Sequence, residues 1–290
     1  WSEILAPHLI PNPSGLQDRS TFGGIPQTPF GILRLPMESI SSIVICYNEE
    51  RNIERCLKSV LPFSDEIVVV DSGSTDRTVD IARRYATSVI SHEWMGYGRQ
   101  KQYAMERSSR PWVFSIDADE EVSPGLCEEI QSLDFSADGY EMPRKAWYLS
   151  RWVEHSGWYP GYILRLFRRG AGEITDEVVH ECVSVSGRVS RLKNDLYHYS
   201  YRDVAHHIQK MNEFTTLSAR QMFEERRRAG VHNVALYPAL EFFKVYVVKR
   251  GFMDGLAGLT ISALHAYYVF LKYAKLYEMR ASQRVAGKGR

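Results

Sequence analysis

The stretch "FSIDADEEVSP", residues 114–124, sets four carboxylates in five positions directly behind an apolar run. That run starts at Trp112, and "WVFSID" reads as a strand buried on both faces. Two earlier segments have the same form, "SIVIC" at 42–46 and "EIVVVD" at 66–71. Between them Ile53, Cys56, Leu57 and Val60 recur at helical spacing. Next, "GSTDRTVDIARRYA" offers helix-capping residues and then Val79, Ala82, Tyr85 and Ala86 on one predicted face, with "TSVI" as a further strand. Strands that alternate with helices predict parallel βαβ units with right-handed crossovers, so residues 41–125 are expected to form an open, mostly parallel α/β sheet flanked by helices. Ligands of such sheets sit at the carboxyl ends of the strands.

The strand ends are where this chain is acidic. "CYNEE" follows the first strand, Asp71 ends the second, and Asp117 and Asp119 follow the fourth. A dinucleotide site would place G-x-G-x-x-G after the first strand so that backbone N–H groups could approach a pyrophosphate. Glu49 and Glu50 stand there instead. A diphosphate beside so many carboxylates requires an intervening divalent cation, and Asp117 and Asp119 suit a hard ion such as Mg²⁺ or Mn²⁺ that also takes substrate oxygens. The competing reading is a solvated acidic turn that caps a helix. Asn48 and Asp71 are open to the same reading as capping residues.

Away from this centre the chain divides by composition. Residues 1–36 hold six of the twelve prolines and show no sustained period, which reads as a disordered or extended segment with Met37 as a candidate start. Residues 37–202 carry the strand and helix pattern. In them "KAWYLSRWVEHSGWYPGYILRLFRR" reads as accessory structure over the sheet, and "SVSGRVSRL" as a hairpin turning near Gly187. Residues 203–290 read as a helical extension, polar at first and then aromatic and basic, interrupted at Gly251 and Gly255. The net charge of +1 conceals an asymmetry, since residues 241–290 carry nine Lys/Arg against three Asp/Glu. Cys46, Cys56, Cys127 and Cys182 form no C-x-x-C pair and no disulfide framework, which argues for reduced thiols and a cytoplasmic location.

"SIVICYNEERNIERCLKSV", "IVVVDSGSTDRTVDIA" and "IDADEEVSP", in that order, resemble the glycosyltransferase family 2 domain of GT-A fold. "GYGRQKQYA", "YPGYILRLFRR", "VHE", "LYHYSY" and "KRGFMDGLAGL" extend the resemblance to the lipopolysaccharide-core β-1,4-glucosyltransferases of that family, over residues 41 to about 278. The resemblance implies a nucleotide-sugar donor, UDP-glucose above all, and an inverting transfer to an inner-core heptose. It sets Tyr47, Asn48 and Glu49 beside base and ribose, Asp71 on the uracil or ribose side, Asp117 at ribose or metal, and Asp119 on the metal.

A general base must take the acceptor hydroxyl's proton. "DEVVHECV" offers Asp176, Glu177, His180 and Glu181, and the resemblance favours Glu181. His180 would orient Glu181, touch substrate, or be an ordinary half-buried histidine. His198 would complete the metal shell or be structural. Arg165, and with it Arg168 and Arg169, could grip a diphosphate or an anionic acceptor, the last two being equally suited to a solvated face. Lys101, near a helix start, could reach a phosphate.

The longest uncharged stretch near the end, Gly255–Leu271, has 17 residues, short of the ~20 that span a bilayer. Interfacial docking on the cytoplasmic face of the inner membrane, beside a lipid-linked acceptor, suits it better, as does a helical subdomain packed on the core. Rival readings are transfer to a polyprenyl phosphate and a GT-A scaffold that binds nucleotide sugar or glycolipid without catalysis. Nucleic acid is excluded as a partner because the basic residues lie among apolar helix faces.

Overall fold

The computed structural model describes residues 38–176 and 181–288. Four strands come first: β1 (Ile40–Cys46), β2 (Glu66–Asp71), β3 (Ser88–Ser91) and β4 (Trp112–Asp117). They are linked by α1 (Ile53–Val60), α2 (Thr78–Ala82) and α3 (Tyr97–Arg107). All four are parallel, in the order β3-β2-β1-β4, with Cys46 beside Asp71 and Ile45 beside Asp117. Chain order thus reverses across β1, between β2 and β4, and this opens the crevice at the carboxyl ends where such sheets bind ligands.

Alternation along β1 explains the two layers. Ile40 and Val44 pack with Leu57, Val69, Phe114 and Leu126 on one face, while Ile43 and Ile45 pack with Val70, Ala104 and Phe167 on the other. Helices on both faces require apolar residues at every strand position, hence the unbroken Ile/Val runs. α1 buries the four expected residues, Ile53, Cys56, Leu57 and Val60. α2 departs from expectation: it stops at Ala82 and buries Thr78, Ile81 and Ala82, leaving Val79 half-exposed.

After β4 come β5 (Glu120–Val122), α4 (Pro124–Gln131), β6 (Gly139–Tyr148), β7 (Arg151–Trp152) and β8 (Gly161–Arg168). Ser123 caps α4 by accepting from the Leu126 N–H at 3.1 Å, with Pro124 in the first turn where it has no bond to lose. The remaining strands are β9 (Gly172–Asp176), β10 (Glu181–Val185), β11 (Val189–Arg191) and β12 (Leu196–His198). The aromatic segment expected to lie over the sheet is part of it. β8 runs antiparallel to both β4 and β6, and the full order is β3-β2-β1-β4-β8-β6-β12-β5, with β7 and β11 also on β6.

The hairpin expected around Gly187 is also corrected: β10 pairs antiparallel with β9, whereas β11 runs parallel to β6. Asp138 explains the capture. Its N–H donates to the Arg188 carbonyl at 2.8 Å and its carboxylate accepts from the Arg188 N–H at 3.0 Å. Gly187 lies at φ +130, and a side chain there would collide with the Asp138 carboxylate.

The rest is helical: α5 (Val204–Glu224), α6 (Val231–Phe243), a π-helical turn Lys244–Val248, a 3₁₀ turn Gly251–Asp254 and α7 (Gly255–Lys288). Lys275 of α7 donates to the Asn212 carbonyl and side chain and to the Thr215 and Thr216 hydroxyls of α5. Trp158 donates to His265 at 3.1 Å, and His207 meets the Tyr148 hydroxyl at 3.0 Å, which joins the helices to the sheet.

His207 is fully buried, and burial lowers its pKa to about 4. An unfolded histidine titrates near 6.5, so between these values the unfolded chain binds the extra proton. Stability should be complete above about pH 6.5 and fall as pH drops toward 4, by roughly 3 kcal/mol. Urea unfolding at pH 7 and pH 5 should show about 2 kcal/mol of this fall, and His207→Gln should flatten it; an equal fall in the variant would assign the slope to other groups.

Candidate active site

The four carboxylates of residues 117–121 have four different surroundings. Asp117 ends β4 with each oxygen held by a cation, Lys101 Nζ at 2.5 Å and Arg165 Nη2 at 2.5 Å. Both cations are almost completely buried. Burial works to raise the Asp117 carboxyl, but Arg165 and then Lys101 outweigh it and hold the group far below the ordinary carboxylate range. Glu120 is buried as well. It accepts from the Asp117 N–H at 3.1 Å and from Arg165 at 2.6 Å, with Arg144 at 3.6 Å. Glu121 points elsewhere, accepting from the Tyr199 hydroxyl at 2.8 Å with Arg55 at 3.5 Å, and that guanidinium lies 3.5 Å from the Tyr199 ring centre.

Asp119 differs from the other three. It faces His198, Oδ2 to Nε2 at 3.5 Å, and both side chains are under one-fifth exposed. The pairing of β5 with β12 creates this approach, because it sets His198 beside Glu120 and lets the Tyr199 N–H donate to the Asp119 carbonyl. Burial would raise the Asp119 carboxyl, yet the charge and hydrogen bond of His198 bring it below its usual value. The other ring nitrogen of His198, Nδ1, lies 2.8 Å from the Ser200 hydroxyl. This polar contact leaves Nε2 turned to the carboxylate.

At the neighbouring strand ends Asn48, Glu49 and Asp71 hold two loops together. Asn48, at φ 54, accepts from the Thr75 N–H at 2.8 Å, and its own N–H donates to Ser74. Asp71 accepts from the Gly73 and Ser74 N–H groups, both at 3.0 Å. Glu49 accepts from the Asn52 side chain at 2.8 Å, while its N–H donates to Thr78. Burial raises the Glu49 carboxyl; Asn52 opposes this and the Asp119 charge adds to it. Tyr47 projects from this loop with its ring exposed.

The structure therefore brings Asp117, Asp119, His198, Lys101 and Arg165 together, with Tyr47, Asn48, Glu49 and Asp71 at the adjoining strand ends. Lys101 and Arg165, expected at a phosphate, are turned onto Asp117, one to each of its oxygens. Arg169 bonds the Met105 and Arg110 carbonyls beyond α3, and Arg168 lies over Trp112 and near Asp138; neither meets the acidic cluster. His180 and Glu177 lie outside the described residues, and Glu181 is described only by its backbone, paired with Asp176. Among the described residues no group of three or more His, Cys, Asp or Glu is placed to hold a metal ion.

Sequence reading missed two features. Glu120 was one acid among four, and nothing local marks it as the buried one. Arg202, just before α5, and His206 and Lys210 on its first turns recur every four residues, a spacing legible in the sequence. Arg202 and Lys210 act electrostatically on Glu49, and Lys210 on Asp119, so the beginning of α5 borders the acids.

Truncating Arg165 would leave Glu120 and Asp117 without their shared cation. Removing one partner of a buried pair costs about 3–5 kcal/mol, so Arg165→Met should lower the unfolding free energy by that order in urea titrations. A loss below about 1 kcal/mol would mean that Lys101 and Arg144 suffice.

Comparison with known proteins agrees with this geometry. The sequence model for "Glycosyl transferase family 2" matches residues 41–183, from β1 through the first part of β10. A lipopolysaccharide core biosynthesis glycosyltransferase, LpsC, of Rhizobium meliloti (strain 1021) is 32% identical over 257 residues, 85% of this chain and 95% of that protein. An uncharacterized glycosyltransferase of Rickettsia typhi is 29% identical over 86% of this chain and 90% of its own. Among solved structures, a mannosyltransferase from Pyrobaculum calidifontis, in complex with GDP-Man and Mn²⁺, superposes with a TM-score of 0.50 at 15% identity over 86% of this chain and 90% of its own. The fold is that of the GT-A transferases, an α/β sheet with a helix-rich C-terminal region, and the identity with LpsC extends through nearly all of it: the chain is a glycosyltransferase of family 2.

Proposed function

We propose that the chain is an inverting, metal-dependent transferase that moves a hexose, glucose from UDP-glucose, to a heptose of the lipopolysaccharide inner core. The observation that carries this reading is the Asp119–His198 pair at the carboxyl ends of the parallel strands. Kinship with LpsC supports the acceptor class. Work on a glycolipid with a nucleotide-sugar donor implies a place on the cytoplasmic face of the inner membrane.

Asp119 and His198 would hold Mg²⁺ or Mn²⁺. They offer a carboxylate oxygen and an imidazole nitrogen 3.5 Å apart, donor types that would suit such an ion, whose other positions would go to water and substrate phosphates. When bound, the ion would neutralise charge on the departing diphosphate. Asp117, fixed by Lys101 and Arg165, would serve as an acceptor for a ribose hydroxyl through whichever lone pairs the two cations leave. The exposed ring of Tyr47 and the loops tied by Asn48 and Asp71 would hold the base and ribose. Arg202 and Lys210 would add positive charge beside the diphosphate.

The chemistry is a single displacement. The acceptor hydroxyl gives its proton to the Glu181 carboxylate while its oxygen bonds to the anomeric carbon, and the bond to the diphosphate breaks with its electron pair leaving on the diphosphate oxygen. Attack from the opposite face turns an α-linked donor into a β-linked product.

The assay is UDP release from a panel of UDP- and ADP-sugars with truncated core oligosaccharides, in Mg²⁺ or Mn²⁺ and in EDTA. Release from one donor should require metal and a heptose-terminated acceptor. Asp119→Ala and His198→Ala should each lower metal affinity by roughly 10–100-fold or more, and full activity in EDTA would refute the metal site. Glu181→Gln should lower turnover by about 10²–10⁴-fold while donor affinity is kept; unchanged turnover would remove Glu181 from the role. An α-linked product by NMR would overturn inversion.

A further inference from the structure

α6 and α7 form an antiparallel hairpin, as the Tyr237–Tyr273 ring contact at 5.7 Å and the approach of His265 to Glu241 at 3.7 Å show. Among the described residues none covers its outer face. Among the residues of α6 only Asn233 is buried, although the helix is mostly apolar. Leu236, Leu240, Phe243 and Val247 recur at steps of four, three and four, which is one stripe of a helix, and all four are exposed. At the tip Val248, Phe252 and Leu256 are exposed too, at 66%, 52% and 74%. Scattered apolar residues are ordinary on a surface, whereas a contiguous set on one element marks a binding face.

Charge selects the occupant. Lys244, Lys249 and Arg250 lie within this same stretch, and the one acid between Phe242 and Tyr277 is Asp254. Asp254 is fully buried, accepting from the Glu154 and His155 N–H groups at 3.2 and 3.0 Å and from the Ser156 hydroxyl at 3.1 Å. The other acid of the stretch, Glu241, has a side chain only 14% exposed and turned to Lys244 and His265, so the face is apolar with a net cationic rim. No described helix is long and apolar enough to cross a membrane. An apolar helix face edged by lysine and arginine fits the headgroup boundary of an anionic bilayer, where the side chains enter the acyl region and the cations stay at the phosphates.

We infer that the exposed face of the α6–α7 hairpin, from Leu236 to Leu256, docks the protein on the surface of an anionic phospholipid bilayer without spanning it. Delivery of a lipid-linked acceptor by this docking rests on the proposed function; the docking itself does not.

The test is flotation of the full chain with vesicles of phosphatidylcholine, with and without phosphatidylglycerol. The protein should float with the anionic vesicles and be released by added salt, because the cationic share of the binding is screened. Phe243→Glu, Val247→Glu and Phe252→Glu combined should weaken vesicle binding by at least about tenfold. UDP release on a delipidated oligosaccharide should be unchanged, which shows that the variant is folded. In a second measurement, the Phe252→Trp protein should show quenching by lipids brominated in the acyl chain beyond that of the parent, whose six tryptophans give the background. Failure of the parent to float, wild-type flotation of the triple variant, or quenching no greater than the parent's would each overturn the inference. So would light scattering that shows a dimer split by the triple variant with no vesicle binding, which would make the face a contact between copies. The vesicle measurements contain no sugar, so they stand or fall apart from the glycosyltransferase assay.

Discussion

Everything at the carboxyl edge of the sheet depends on the pairing of half-buried Asp117 and buried Glu120 with buried Lys101 and Arg165. Four acids within five residues would repel one another at a strand end shielded from water. Two cations brought from α3 and β8 make the inner half of that cluster neutral, and only Asp119 is left to face His198. The antiparallel insertion of β8 beside β4 is thus electrostatic as well as architectural, since it carries Arg165 to the acids.

The parallel half of the fold was legible because each of its elements carries its own signal. β1, β2 and β4 carry consecutive buried apolar residues that serve both faces, and α1 repeats its buried residues at helical spacing. Asp119 and His198 were likewise nameable, one from its place after a strand and the other from family resemblance. The fate of Lys101 and Arg165 was not legible. Arg165 finds Asp117 across 48 residues, and a cation near a motif looks the same in sequence whether it meets a ligand or a buried acid.

β11 teaches the same lesson about strands. An alternating segment after a glycine predicts a strand without naming its partner, and Asp138 decides that the partner is β6 rather than β10. For α6 the sequence was ambiguous in another way. Its aromatic and aliphatic residues suit a packed helix or an interfacial one, and only the burial of Asn233 alone distinguishes them.

The hairpin tip is not joined to the sheet by a loose linker. Asp254 fastens it to residues 154–156, and Arg151 donates to the Asp254 carbonyl at 2.8 Å. A protein seated on a membrane through this tip would carry its strand ends at one fixed height above the lipid. Height then becomes a gauge of length. A glycolipid whose accepting hydroxyl lies one sugar too near or too far from its lipid anchor would miss the catalytic edge, even where its terminal residue is chemically correct.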